Sequence, residues 1–134
     1  MASPCVVLCE SEDTGFLGRL AAFARAESAR IDQKFSRYRT DSVVHALHSN
    51  RGKPFRVDDE TARLLEFGAS LWKLSEGRFD LTSGVLRHAW RFDEGQCEAD
   101  PTRIPELLGR IGWQRVTWEP PFITLPEGME IDFG

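Results

Sequence analysis

The sequence contains no apolar run long enough to span a bilayer and no signal peptide ahead of its first apolar segment. From Met1 onward it reads as a cytoplasmic protein. Were an export signal removed ahead of Met1, the expectation would change to a periplasmic or membrane-associated one. Positive charge is not in excess: 17 Lys and Arg stand against 21 Asp and Glu, for a net charge of −4. Such a chain has no overall basic field for nucleic acid or an anionic membrane, so neither is an expected partner. An anionic ligand would have to be held by backbone donors or a few placed cations. Cysteine is scarce, at three residues. Cys5 and Cys9 share one apolar run and Cys97 stands far from both, with no Cys-x-x-Cys spacing. That pattern gives no support to a zinc site and points to small buried thiols in a reduced protein. Gly-x-Ser-x-Gly, a Walker loop and a dinucleotide fingerprint are all missing, as are repeats and low-complexity stretches.

What remains is an ordinary folded composition. The chain has 134 residues, 41% apolar and 28% charged, which suits one domain with a real core and argues against disorder. Residues 4–9 form an apolar, β-branched run that reads as a buried strand. Thr14 and Gly15 lead into a long amphipathic helix, with Leu17, Leu20, Ala21, Ala24, Ile31 and Phe35 on one face. Asp41-Ser42 can cap a short helix through Leu47, and Phe55-Arg56-Val57 is a brief extended piece. Asp58 caps the next helix, whose buried stripe is Leu64, Leu65, Phe67, Gly68, Leu71 and Trp72, with Gly77 as its stop. Residues 79–92 read as a loop with a short helix and 94–100 as a polar loop. Pro101 opens a helix over 104–111. Strands over 115–118, 122–125 and 129–133 close the chain as a meander, with Pro120-Pro121 and Pro126-Glu127-Gly128 as turns. The fold class is α+β, antiparallel strands packed with several helices.

Loops at element ends tend to carry chemistry. Tyr38 offers a ring and hydroxyl that could stack on a planar heterocycle, or it covers the end of the long helix. Asp80 could accept hydrogen bonds from a ligand, or cap the Thr82-Ser83-Gly84 turn. Asp132, on a strand end between Ile131 and Phe133, needs a partner, either a ligand or a backbone amide. His45 and His48 are spaced i, i+3 on a helix without an evident third ligand, so a solvated helix face is expected there rather than a metal pair. His88, beside Trp90, reads as structural.

The order of these clusters resembles the ApbE family of flavin transferases over nearly the whole chain. Met1-Ala2-Ser3 is similar to the family's Met-Gly-Thr opening. The stretch Phe35-Ser36-Arg37-Tyr38-Arg39-Thr40-Asp41-Ser42 is similar to its Ser-x-Tyr-x-x-Asp-Ser. Ser75-Glu76-Gly77-Arg78-Phe79-Asp80-Leu81-Thr82-Ser83-Gly84-Val85-Leu86 resembles Ser-x-Gly-Ala-Phe-Asp-Pro-Thr-Val-Gly-Pro-Leu. Gly112-Trp113 and the closing Met129-Glu130-Ile131-Asp132-Phe133-Gly134 resemble the later helix and the Asp-Leu-Gly-Gly loop. Departures fall at Arg78 for Ala, at Leu81, Ser83 and Val85 for Pro, Val and Pro, and at His48, where Asn is common.

The resemblance implies that residues 1–134 are the amino-terminal half of an ApbE-like flavin transferase domain. It implies FAD as substrate, contacted by Met1, Tyr38, Arg78, Phe79, Asp80 and Asp132. It implies transfer of FMN through a phosphoester bond to Thr or Ser of a target protein, with AMP released. Mg2+ is implied as cofactor, its ligands expected beyond Gly134, so that no catalytic or metal residue falls within the chain. A complementary chain or self-association is then expected as partner, and the chain alone is expected to be inactive. The alternative is a non-catalytic flavin-binding or scaffold chain.

Overall fold

The structure, a computed structural model, describes residues 6–93 and 96–133, with only the backbone described over 91–93 and 96–97. The chain divides into two compact units, Met1–His45 and Ala46–Gly134.

In the first unit α1 (Thr14–Phe35) takes the predicted span. Asp13 caps it, its carboxylate accepting the Phe16 amide at 2.8 Å. The apolar stripe Leu17, Leu20, Ala21, Ala24 and Ile31 is half-buried and Phe35 is buried, whereas Phe23, off the stripe, stays exposed. The strand expected over 4–9 is not found in its described part. Val6, Val7 and Leu8 lie in no strand, and Leu8 is 92% exposed. β-branched residues favour a strand only where a neighbouring strand and a packing surface receive them, and no described strand pairs with this segment. Cys9 is likewise exposed rather than buried. Cys5 and the side chain of Cys97 lie outside the described residues. After α1, Ser42 caps α2 (Val43–Ser49) through the His45 amide at 3.0 Å.

The second unit holds β1 (Phe55–Arg56), α3 (Asp59–Leu74), a 3-10 helix (Leu81–Ala89), β2 (Trp90–Asp93), β3 (Gln96–Ala99), α4 (Ile104–Leu108), β4 (Thr117–Glu119) and β5 (Phe122–Thr124). Asp58 caps α3 as expected, accepting from the amides of Glu60 and Thr61. The terminal meander is corrected in two places. β5 sits between β4 and β1, so the third strand of the sheet comes from Phe55 and Arg56. Residues 129–133 lie in no strand. The loop expected at 94–100 is corrected too: β3 pairs antiparallel with β2, Trp90 opposite Ala99.

The main core gathers Leu47, Val57, Leu65, Leu81, Trp113, Ile123, Leu125, Met129 and Ile131. Burying each large aliphatic side chain contributes about 1.5–3 kcal/mol. Met129 and Ile131 are fully buried, so the alternation of a strand is present without its ladder. A smaller cluster of Val85, Ala89 and Leu107 joins the 3-10 helix to α4.

Candidate functional site

The turn from α3 into the 3-10 helix builds the site. Ser75 takes the last helical hydrogen bonds, and the chain reverses through Glu76 at φ 55° and Gly77 at φ 81°. The Gly77 amide returns to the Trp72 carbonyl at 2.8 Å, the bond pattern of a glycine helix stop. Arg78 and Phe79 are thereby left exposed, and Asp80 turns inward with 9% exposure.

Asp80 is the hub beneath them. One carboxylate oxygen accepts the Thr82 amide at 2.8 Å and the Thr82 hydroxyl at 2.6 Å. The other accepts the Trp113 amide at 2.9 Å, while Thr82 Oγ1 accepts the Gly112 amide at 2.8 Å. Of the alternatives open in the sequence, the cap is therefore present. It extends further than a local cap, because it ties the 3-10 helix to residues 112–113.

The segment 129–133 passes alongside. The Asp132 amide donates to the Leu81 carbonyl at 3.0 Å. A Cβ on Gly84 would lie 2.5 Å from Asp132 Cβ, so only glycine lets the two backbones come this close. Between them opens a cleft of about 300 Å³ lined by Arg78, Phe79, Asp80, Leu81, Ser83, Gly84, Asp132 and Phe133. That volume sits at the lower end of small-molecule sites. Two aromatic rings, one guanidinium, one hydroxyl and two carboxylates in its lining suit a planar ring carrying polar substituents.

Of the residues singled out in the sequence, Arg78, Phe79, Asp80 and Asp132 thus come together. Tyr38 lies in the first unit, 78% exposed, with the Arg37 guanidinium 4.9 Å from its ring centre and a 3.0 Å hydrogen bond to its hydroxyl. Beside it Arg39 and Asp41 form a two-pronged ion pair, each bond 2.9 Å. Its hydrogen bonds hold the Asp41 carboxyl below the ordinary range. Met1 lies outside the described residues. Ser83 and Phe133 line the cleft although sequence reasoning gave them no role. The signal available for both was adjacency to a residue already chosen.

His48 is a correction. Rather than facing solvent, it is half-buried, and its Nε2 accepts the Ile131 amide at 2.9 Å. Burial, then the charge of Arg51, push its pKa down; Arg87 adds to this and Glu130 opposes it. Arg51 donates to the carbonyls of Met129 (2.6 Å) and His48 (2.8 Å). Glu130 meets Arg87 at 2.5 Å, as an ion pair not aligned for a hydrogen bond, and His88 at 3.1 Å. Burial pushes the Glu130 carboxyl up, but the His88 hydrogen bond and the Arg87 charge outweigh it and leave it below its ordinary range. Among the described residues no group of three or more His, Cys, Asp or Glu is arranged to hold a metal ion.

Residues 1–134 match the model of the ApbE family. No curated protein sequence matches the chain significantly. Among solved structures, the chain is similar to the ApbE protein of Thermotoga maritima, at 27% identity and a TM-score of 0.74, over 92% of this chain and 41% of that one. It is similar to the apo form of the flavinyl transferase ApbE of Pseudomonas stutzeri, at 24% identity and a TM-score of 0.73, over 92% and 43%. The flavin transferase ApbE of Vibrio cholerae gives 23% identity and a TM-score of 0.67 over 90% and 40%. The chain spans about two-fifths of the length of these structures. The α+β fold is thus that of part of an ApbE structure.

Proposed function

The chain belongs to the ApbE family, and from that premise we propose that it carries the FAD-binding part of an FAD:protein FMN transferase. The reaction cleaves the pyrophosphate of FAD and passes FMN to a Thr or Ser hydroxyl of a target protein, with AMP as leaving group. The observation that carries this reading is the cleft itself. Arg78, Phe79, Asp80 and Asp132, matched to the family's FAD contacts from sequence, line one cavity although Asp132 is far along the chain from the others.

Within the proposal each residue has a task. Phe79 and Phe133 offer ring faces to a planar heterocycle. Asp132 accepts from ring-amine or ribose hydroxyl donors. The Arg78 guanidinium faces a phosphate oxygen, a pairing that suits its fork of donors. Asp80, occupied by its own amides, acts by holding the loop in place. A cleft of about 300 Å³ takes one ring system and its sugar rather than a whole dinucleotide. Tyr38 and Met1 remain FAD contacts on the motif match alone. The metal chemistry is assigned to a second half, and the acceptor hydroxyl to the target protein. The partner is then a complementary stretch of polypeptide, and residues 1–134 alone are expected to transfer no flavin.

The test is an FAD titration of the full chain followed by flavin fluorescence. Arg78→Ala and Asp132→Asn should each weaken binding about ten-fold or more, since hydrogen bonds to charged groups are worth about 1.5–3 kcal/mol. Folded variants that bind FAD as the parent does would overturn the assignment of the cleft.

A further inference from the structure

The segment 129–133 forms one wall of the cleft, yet no β ladder holds it. Its backbone is fixed at Ile131 by a side chain, His48, and at Asp132 by the Leu81 carbonyl. We propose that His48 is a positioning residue that makes this wall respond to pH: the neutral imidazole accepts the Ile131 amide and seats Asp132 and Phe133 at the cleft, and the imidazolium releases them.

The chemistry follows from which nitrogen does what. A backbone N–H only donates, so Nε2 of His48 must carry the lone pair, and the ring proton sits on Nδ1. Protonation turns Nε2 into a second donor facing the Ile131 N–H. The hydrogen bond is then lost, and a buried amide is left without a partner. The charged groups around the ring are Arg51 just beyond α2, Arg87 on the 3-10 helix and Glu130 on the segment itself, and the titratable His88 side chain meets Glu130. The two arginines disfavour a third cation. Glu130 favours one, but its oxygens already face Arg87 and His88. Burial and the arginine charges hold the His48 pKa below the ordinary histidine value, which places the release on the acid side of neutrality. Met129 is fully buried and Arg51 holds its carbonyl, so the release is confined to the 131–133 end. Any consequence for flavin binding rests on the function proposed above. The movement itself does not.

The experiment uses the full chain without ligand, so its outcome is independent of the flavin reading. Nitrogen–proton correlations of the His48 ring are recorded at pH 7.5. Exchange of the Ile131 amide is measured at pH 7.5 and 5.5 and corrected for the intrinsic rate, in the parent and in His48→Gln, whose amide oxygen accepts without titrating. The expected result is an Nδ1–H ring at pH 7.5. Ile131 protection should fall about ten-fold at pH 5.5 in the parent and stay level in the glutamine variant, the factor being that of one lost hydrogen bond of about 1.4 kcal/mol. An Nε2–H ring, or equal pH dependence in parent and variant, would overturn the proposal.

Discussion

The two units of the chain use their polar groups differently. In Met1–His45 the contacts Asp13 to Phe16, Glu27 to Arg30, Arg37 to Tyr38 and Arg39 to Asp41 join near neighbours in sequence. In Ala46–Gly134 local contacts such as the Asp58 cap are joined by others between distant segments: Asp80 and Thr82 to residues 112–113, His48 to Ile131, Arg51 to Met129, Arg87 and His88 to Glu130. A near-neighbour contact ends or caps an element. A distant one closes a long loop and fixes where two elements meet, as around the cleft of the second unit. Its polar residues should therefore be the more costly to remove.

The largest effect is expected at Asp80. Alanine leaves the Thr82 and Trp113 amides as buried donors without acceptors, and urea unfolding should show a loss of about 3 kcal/mol. A loss no larger than that of an ordinary surface substitution would remove Asp80 as hub. Gly84→Ala comes next. Its methyl would enter the space of Asp132 Cβ, at an expected cost of about 1–3 kcal/mol, with displacement of the Asp132 amide resonance. An unshifted Asp132 would show that the close approach is not needed.

The pH dependence of stability follows in size. The His48 pKa is lower in the folded protein, so between the folded and unfolded values the unfolded chain binds more protons. Its contribution is complete above the ordinary value of 6.5 and is lost as pH falls below it. Glu130, also lowered, adds stability above 4.5 that is lost as pH falls further. Urea midpoints should decline in two stages toward acid, and His48→Gln should flatten only the first. The smallest effect belongs to the first unit: Arg39→Ala breaks a solvent-exposed pair and should leave the urea midpoint within replicate scatter.

The same contrast explains what was legible in the sequence. The stripe of α1 and the caps at Ser42 and Asp58 are local patterns, and each is found where its spacing puts it. The Asp80 turn was visible as a cap, but its reach to Trp113 was not, because no local pattern names a partner that distant. β1, at two residues, has no period to read; only its pairing with β5 makes it a strand. Residues 129–133 alternate as a strand does, but their amides go to His48 and Leu81. Val6, Val7 and Leu8 are apolar enough for a strand and lack a described partner. For the candidate site, sequence resemblance picked out Arg78, Phe79, Asp80 and Asp132, and the fold explains how the last meets the others: Gly84 admits it and His48 seats its neighbour.

The central claim is that this cleft receives FAD, and amide resonances followed through an FAD titration of the full chain test it most directly. The account predicts saturable shifts concentrated at residues 78–84 and 131–133, with β2 and β3 unmoved. Shifts that fail to saturate, or that gather away from these two stretches, would contradict it.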